Sequence, residues 1–180
     1  MIAYKAFDRN LSCRGKQYAF GMWHTEAEAN CARNGIHCAT NPLDCLDYYT
    51  SRENRRLCLV EVAGDLNEDD VDSKVTGTRM RILKELDDEE TAYAAALYIV
   101  EHPELPDNRR VRREEAVLSE YPDDGFVIVR GKHPAASAPD GTIVALVREA
   151  PGSVAIDAVN MFTVGRDGYL PDRIYSVEDY

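Results

Sequence analysis

The chain has 180 residues, with 21 Lys or Arg against 32 Asp or Glu, so its formal net charge at pH 7 is −11. Hydrophobic residues make up 44% of it, enough for a globular core, yet no apolar run approaches the ~18 residues that a membrane-spanning helix needs. The acidic balance argues against direct binding of nucleic acid, because contacts to phosphates draw on clustered Lys and Arg.

Short strands and brief helices are predicted for the N-terminal part of the chain. Its apolar runs predict strands at residues 2–7, 17–24, 36–39, 57–62 and 78–83. Thr25 and Glu28 have the spacing of a capping box, which predicts a helix through residue 32 that stops at Gly35. Pro42 suits the first position of a second short helix.

The C-terminal part is predicted to be mostly strand. One helix is predicted over residues 89–100, where apolar residues recur at helical spacing before His102-Pro103. Strands are predicted at residues 126–129, 142–148, 154–164 and 173–177. Gly- and Pro-containing turns separate them, which favours a small antiparallel β meander.

Together these elements predict an α+β, or mixed α/β, protein. A main domain is expected over residues 1–105 and a β-rich extension packed on it over residues 121–180. Residues 106–120, which include the cluster Arg109–Arg113, are predicted to be a charged linker or helix between the two.

The cysteines predict a reducing compartment, and so a cytoplasmic protein. They are odd in number, and no C-x-x-C pair occurs among them: Cys13, Cys31, Cys38, Cys45 and Cys58. Secreted disulfide scaffolds usually have an even number, and structural zinc usually needs one closely spaced pair of ligands. We therefore expect free, buried thiols and no metal site.

Dense carboxylates between residues 65 and 90 are the strongest feature of the charge pattern. Such a field attracts basic partners, although it can also serve solubility alone. The predicted partner-binding residues are Asp65, Glu68, Asp69, Asp70, Asp72, Asp87, Asp88, Glu89 and Glu90.

Several segments of the first half resemble an uncharacterised family of phage and prophage proteins. The similarity is carried by residues 13–18 (CRGKQY) and residues 34–49 (NGIHCATNPLDCLDYY), with shorter matches at residues 72–75 and 81–86. It covers residues 2–86 well. The resemblance implies a phage-linked origin and no particular activity.

A second resemblance is to ADP-ribosyltransferases. Residues 35–39 (GIHCA), the following Tyr48-Tyr49 and the strand at residues 57–66 are similar to the segments that line the nicotinamide pocket in that fold. The resemblance implies an ADP-ribosyltransferase-like N-terminal core, with Arg14 near the NAD phosphates or ribose, His37 on the pocket strand and Tyr48 or Tyr49 against nicotinamide. The strand at residues 78–82, where that family has its catalytic Glu, has no acid.

Two hypotheses about function follow. The first is a phage-derived, cytoplasmic counter-defence protein that inhibits a host nucleic-acid-handling complex, as an anti-CRISPR protein does, by occupying a basic surface and needing no cofactor. The alternative is an NAD-dependent ADP-ribosyltransferase that modifies a host protein through Arg14, His37, Tyr48 or Tyr49, and an acid that the sequence does not identify. Neither hypothesis fixes the partner or the oligomeric state.

Overall fold

The computed structural model describes residues 1–30, 34–49, 51–68 and 73–179, with the backbone alone for Glu68. The chain divides into two compact units, Met1–Asp87 and Asp88–Tyr180. Strands account for 48% and helices for 12%, so the protein is β-rich and the predicted α+β class is wrong. In the described ranges, no helix is long and apolar enough to cross a bilayer.

The first unit is built on antiparallel strands. They are β1 (Ile2–Asp8), β2 (Ser12–Cys13), β3 (Lys16–Gln17), β4 (His24–Thr25), β5 (Ile36–Ala39), β6 (Arg55–Glu68) and β7 (Lys74–Leu86). A single helical turn, α1 (Pro42–Cys45), follows β5, and a 3-10 turn (Arg52–Asn54) precedes β6. The predicted strands at residues 2–7, 36–39, 57–62 and 78–83 are confirmed within these bounds.

Four of these strands close into a ring. β1 pairs with β6 along its whole length and with β5 at Tyr4–Ala39, while β7 pairs with both β5 and β6. The order around the ring is therefore β1, β6, β7, β5, as in a small barrel, and closure leaves few free edges among these strands. Alternate residues of each strand point into it, and the buried core includes Ala3, Phe7, Ile36, Val60, Val62, Met80 and Ile82.

Two predictions for residues 17–32 are wrong. Only Lys16–Gln17 and His24–Thr25 are extended, in place of one strand over residues 17–24, and residues 26–30 are not helical. The backbone N–H of Glu26 donates to the carbonyl of Thr78 at 2.9 Å, so this segment continues along the edge of β7. The Glu26 carboxylate forms an ion pair with Lys16. Both the backbone N–H and the carboxylate of Glu26 are therefore bound to strand residues and not to the first turn of a helix. Residues 31–33 lie outside the described ranges.

The second unit contains the longest helix described and a mixed sheet. Its elements are α2 (Asp88–Glu101), β8 (Val111–Val117), β9 (Phe126–Ser137), β10 (Ile143–Glu149), β11 (Ile156–Thr163) and β12 (Tyr175–Ser176). The predicted helix at residues 89–100 and the four predicted strands are confirmed in place, although β12 is shorter than expected. Residues 88–105 belong to this unit, and β8 pairs with β9 within the stretch predicted as a linker or helix.

The antiparallel meander is wrong for two of the strand pairs. β9 runs parallel to both β8 and β10, whereas β10–β11 and β9–β12 are antiparallel. Only residues 138–142 separate β9 from β10, yet Ile143 lies beside Phe126 at the start of β9. β9 must therefore bend back on itself. At that bend residues 131–134 of β9 lie opposite Glu114 alone, and the Glu114 carboxylate accepts hydrogen bonds from the backbone N–H groups of Lys132 and His133.

Candidate functional site

A cavity of about 700 Å³ lies in the first unit, within the size range of small-molecule sites. All four residues that the ADP-ribosyltransferase resemblance singled out line it: Arg14, His37, Tyr48 and Tyr49. They come from the β2–β3 turn, from β5 and from the segment after α1. Closure of the strand ring brings these three separate parts of the chain to one site.

Arg14 lies at the tip of the hairpin between β2 and β3. Cys13 pairs with Lys16, so Arg14 and Gly15 form a two-residue turn with φ of 50° and 79°. Positive φ at both central residues is typical of a type I′ turn, whose twist matches that of the flanking strands. A left-handed conformation is uncommon for Arg. The hairpin geometry thus holds the exposed Arg14 at the cavity.

α1 carries the chain from β5 to the two tyrosines. Asn41 caps the helix by accepting from the backbone N–H of Leu43, and the helix ends after one turn. Tyr48 follows with 68% of its surface exposed, so its ring lies at the rim of the cavity. Tyr49 is half-buried, and its hydroxyl donates to the carbonyl of Ser12 at 3.5 Å. Burial and the neighbouring Cys13 raise the pKa of Tyr49, which keeps its hydroxyl neutral.

Lys5, the most buried cation of this cavity, was not among the residues predicted from the sequence. Lys5 is only 7% exposed, because it lies between Ala3 and Phe7 on the inward face of β1. Its Nζ donates to the carbonyl of His37 at 2.7 Å and lies 5.5 Å from the centre of the Phe7 ring. In the sequence its one signal is a lysine among the apolar residues of a predicted strand, which becomes informative only once the neighbours of β1 are known.

The carboxylates that line the cavity are already engaged. Glu26 forms an ion pair with Lys16, and Asp44 accepts a hydrogen bond from the hydroxyl of Ser73. The strand at residues 78–82 contains no acid, and its Arg79 and Arg81 lie against the ring of Trp23. Glu26, an exposed residue outside every segment of the resemblance, is thus an acid on the same cavity as Arg14 and the tyrosines.

Three cysteines also line the cavity, and two of them are poor nucleophiles. Burial raises the pKa of Cys38 to about 11, and burial also raises the pKa of Cys45 well above its ordinary value. Both thiols are therefore protonated at neutral pH, which makes them unreactive. Among the described residues no group of His, Cys, Asp and Glu could hold a metal ion, and Cys13, Cys38, Cys45 and Cys58 are free. Cys31 lies outside those residues.

One family model matches residues 1–94, more than half of the chain, and its description is Domain of unknown function (DUF7666). The chain belongs to the DUF7666 family. The matched region contains the whole first unit, and so the entire cavity. No curated protein and no solved structure matches the chain.

The predicted acidic residues are spread along the DUF7666 region. Asp65 is exposed, and its backbone N–H donates to the Thr78 hydroxyl, whereas Asp87 directly follows the last residue of β7. Asp88, Glu89 and Glu90 form the first turn of α2, where negative charge favours the helix dipole. The side chain of Glu68 and the residues Asp69, Asp70 and Asp72 lie outside what the structure describes.

Proposed function

We propose that the first unit binds a small anionic ligand that carries a flat ring, such as a nucleotide. The observation that carries the proposal is the composition of one cavity: it combines a buried lysine with three further bases and an exposed aromatic ring. The bases are Lys5, Arg14, Lys16 and Lys74, and the exposed ring is that of Tyr48.

The lining of the cavity is slightly basic, whereas the chain as a whole is acidic. Four bases and His37 share the cavity with three acids, Glu26, Glu28 and Asp44, although acids exceed bases in the whole sequence. Arg suits phosphate or carboxylate because its planar fork forms two parallel hydrogen bonds. A base or similar ring stacks on an exposed aromatic side chain. Both features support an anion joined to a ring.

The NAD-dependent transfer predicted as the alternative is a narrower form of this proposal. Arg14, the two tyrosines and Glu26 on one cavity favour it, because they are the kinds of group that ribose chemistry uses. Lys5 sets a condition on it: a buried ammonium repels the positively charged nicotinamide ring of NAD, so that ring would have to lie at the rim beside Tyr48. Transfer of label from NAD to host proteins, lost in Tyr48→Ala, would separate an enzyme from a binding protein.

The phage-derived inhibitor of a host defence complex stays a prediction, as do its cytoplasmic location and its basic partner. The free thiols are compatible with a reducing compartment. In that hypothesis the acids at residues 65–72 and 87–90 contact the partner. The proposal of ligand binding in the cavity is compatible with this hypothesis, because a bound ligand would be able to regulate such an inhibitor.

Calorimetric titration with AMP and adenosine tests the proposal. We expect AMP to bind more tightly than adenosine, and both Arg14→Gln and Tyr48→Ala to weaken AMP binding by about tenfold, which corresponds to ~1.4 kcal/mol. Arg14→Gln should weaken AMP more than adenosine, because the exposed guanidinium attracts the phosphate even without contacting it. Tyr48→Ala should weaken both, because a ring stacks whether or not a phosphate is attached.

Matched controls come from the second unit. Arg112 is exposed on β8, and Tyr93 is exposed on α2. Arg112→Gln and Tyr93→Ala should leave both titrations unchanged. Equal affinity for AMP and adenosine, or equal losses in cavity and control variants, would contradict the proposal.

A further inference from the structure

Lys5 carries a charge that the described residues leave without a carboxylate. An ammonium has three donors, and Lys5 Nζ uses one of them on the carbonyl of His37. Among the described residues, no carboxylate lies within ion-pair distance of Nζ: the ion pairs there involve other Lys and Arg residues. The side chain is nevertheless more than nine-tenths buried and lines the cavity.

The aromatic rings near Lys5 do not replace an anion. Nζ lies 5.5 Å from the ring centre of Phe7 and 5.9 Å from that of Tyr18. A cation–π contact contributes about 2 kcal/mol when it is shielded from water, and less when it is exposed. Withdrawing an ammonium from water costs several kcal/mol, so two such contacts and one carbonyl leave the charge undercompensated. A negative group inside the cavity would balance the charge of the Lys5 ammonium.

We propose that Lys5 binds the anionic group of the ligand at the inner end of the cavity. This inference rests on the proposed function and adds the orientation of the ligand to it. The phosphate or carboxylate enters first and takes the two remaining donors of Nζ. The ring stays at the rim beside Tyr48, which is 68% exposed.

The two ends of the cavity differ in the way this orientation requires. The inner wall includes Lys5 of β1 and the buried Ile36 and Cys38 of β5. A charge on a buried wall discriminates more strongly between an anion and a neutral group than an exposed charge does, since a less polar environment screens it less. At the rim, Arg14 and Tyr48 are both exposed, so Tyr48 offers its ring for stacking and Arg14 adds a weaker, solvent-screened attraction for the anion.

The replacement Lys5→Met tests the inference, because Met keeps the unbranched apolar stem and removes the charge. We expect inorganic phosphate to raise the melting temperature of the wild type and to have no such effect on Lys5→Met, since only a ligand of the folded state stabilises it. AMP affinity should fall at least tenfold and adenosine affinity less than twofold. Without any ligand, Lys5→Met should melt at a higher temperature than the wild type.

The last result separates a binding role from a structural one. If the bond from Lys5 to His37 mainly holds β1 against β5, Lys5→Met should melt lower and bind AMP as the wild type does; that pair of results would overturn the inference. Lys132→Met, at an exposed position of β9, is the control and should change neither quantity. Lys5→Arg retains the charge and should retain part of the phosphate effect.

The three probes also separate this inference from the proposed function. Loss of the phosphate effect in Lys5→Met, with AMP no better than phosphate in the wild type, would support the anion site and contradict a nucleotide-class ligand. AMP binding that is equal in the wild type and Lys5→Met would support the proposed function and contradict the role of Lys5. No response of the wild type to phosphate or AMP would overturn both.

Discussion

Two residues in left-handed backbone conformations fix the mouth of the cavity. Arg14 occupies the first central position of the β2–β3 turn, and Gly35 precedes β5 with φ of 94°. Gly35 also lies close to its neighbours: a Cβ built on it would come within 2.5 Å of the methyl carbon of Thr76 and 3.0 Å of the Ala29 Cα. Its backbone therefore passes where no other residue fits, directly before the strand that carries His37.

Gly35→Ala should destabilise the first unit by about 2–3 kcal/mol, from the left-handed backbone and the contact with Thr76 together. Urea unfolding at pH 7 measures the loss. Gly21→Ala is the matched control, since Gly21 has φ of 70° in the same unit but no atom within 4 Å of its built Cβ. The control should lose only about 1 kcal/mol. Equal losses in the two variants would show that the close approach of Thr76 costs nothing.

Local sequence patterns predicted most elements but not their pairing. The apolar run at residues 57–62 lies within β6, and apolar residues recur at helical spacing along α2; these patterns were sufficient to find both elements. The parallel pairing of β9 with β10 was out of reach, because parallel neighbours usually need a crossover of a dozen or more residues and here only residues 138–142 intervene. The helix predicted from Thr25 failed because tertiary contacts with β7 outweighed a local capping pattern.

The candidate site was partly predictable. Arg14, His37 and the two tyrosines were named from a resemblance, and the structure places all four on one cavity. Lys5 was missed because a single lysine in an apolar strand becomes informative only once β1 is known to have β5 on one side and β6 on the other.

In the second unit, Arg130 joins several elements to β9. It is 3% exposed, pairs with Glu149 of β10 and Asp107 at 2.8 Å each, and also donates to the carbonyls of Pro103 and Val154. Burial alone would raise the pKa of Glu149, but hydrogen bonds and charge from Arg113 and Arg130 outweigh burial and hold that pKa below its usual range.

Arg130→Met should destabilise the second unit by about 3 kcal/mol at pH 7, because it leaves buried carboxylates with fewer partners. The loss should shrink as the pH falls. A carboxyl whose pKa is lowered by folding stabilises the fold fully above its ordinary pKa, and that contribution disappears as the pH drops through the lowered value. Urea unfolding at pH 7 and pH 3.5 checks both statements. Arg112→Met, at an exposed site of β8, should cost little at either pH, and a pH-independent loss in Arg130→Met would contradict the account.

Across the whole molecule, the charge of the chain and the charge of the cavity act in opposite directions. A net charge of −11 repels an anionic ligand at long range, whereas the bases of the cavity attract it at short range. Salt screens exposed charges beyond about 8–10 Å at physiological ionic strength and buried pairs much less. The same long-range field would attract a basic partner. Added salt should therefore change the affinity for the anionic ligand and the affinity for the partner in opposite directions.

The acidic segments should act as two separate attachment points for a basic partner. Asp65 lies beside Thr78, and Asp87 follows Leu86, so the intervening length of β7 separates them by on the order of 25 Å, well beyond the screening length.

Neutralising the acids of residues 65–72, or those of residues 87–90, to Asn and Gln should each weaken binding of poly-lysine. The two losses should add in free energy, because distant sites contribute independently. Affinity for poly-lysine measured at two salt concentrations checks this. Melting temperatures of the variants show how much stability α2 loses when the acids of its first turn are neutralised. If one set alone removed all salt-sensitive binding, the carboxylates would act as a single patch and not as two.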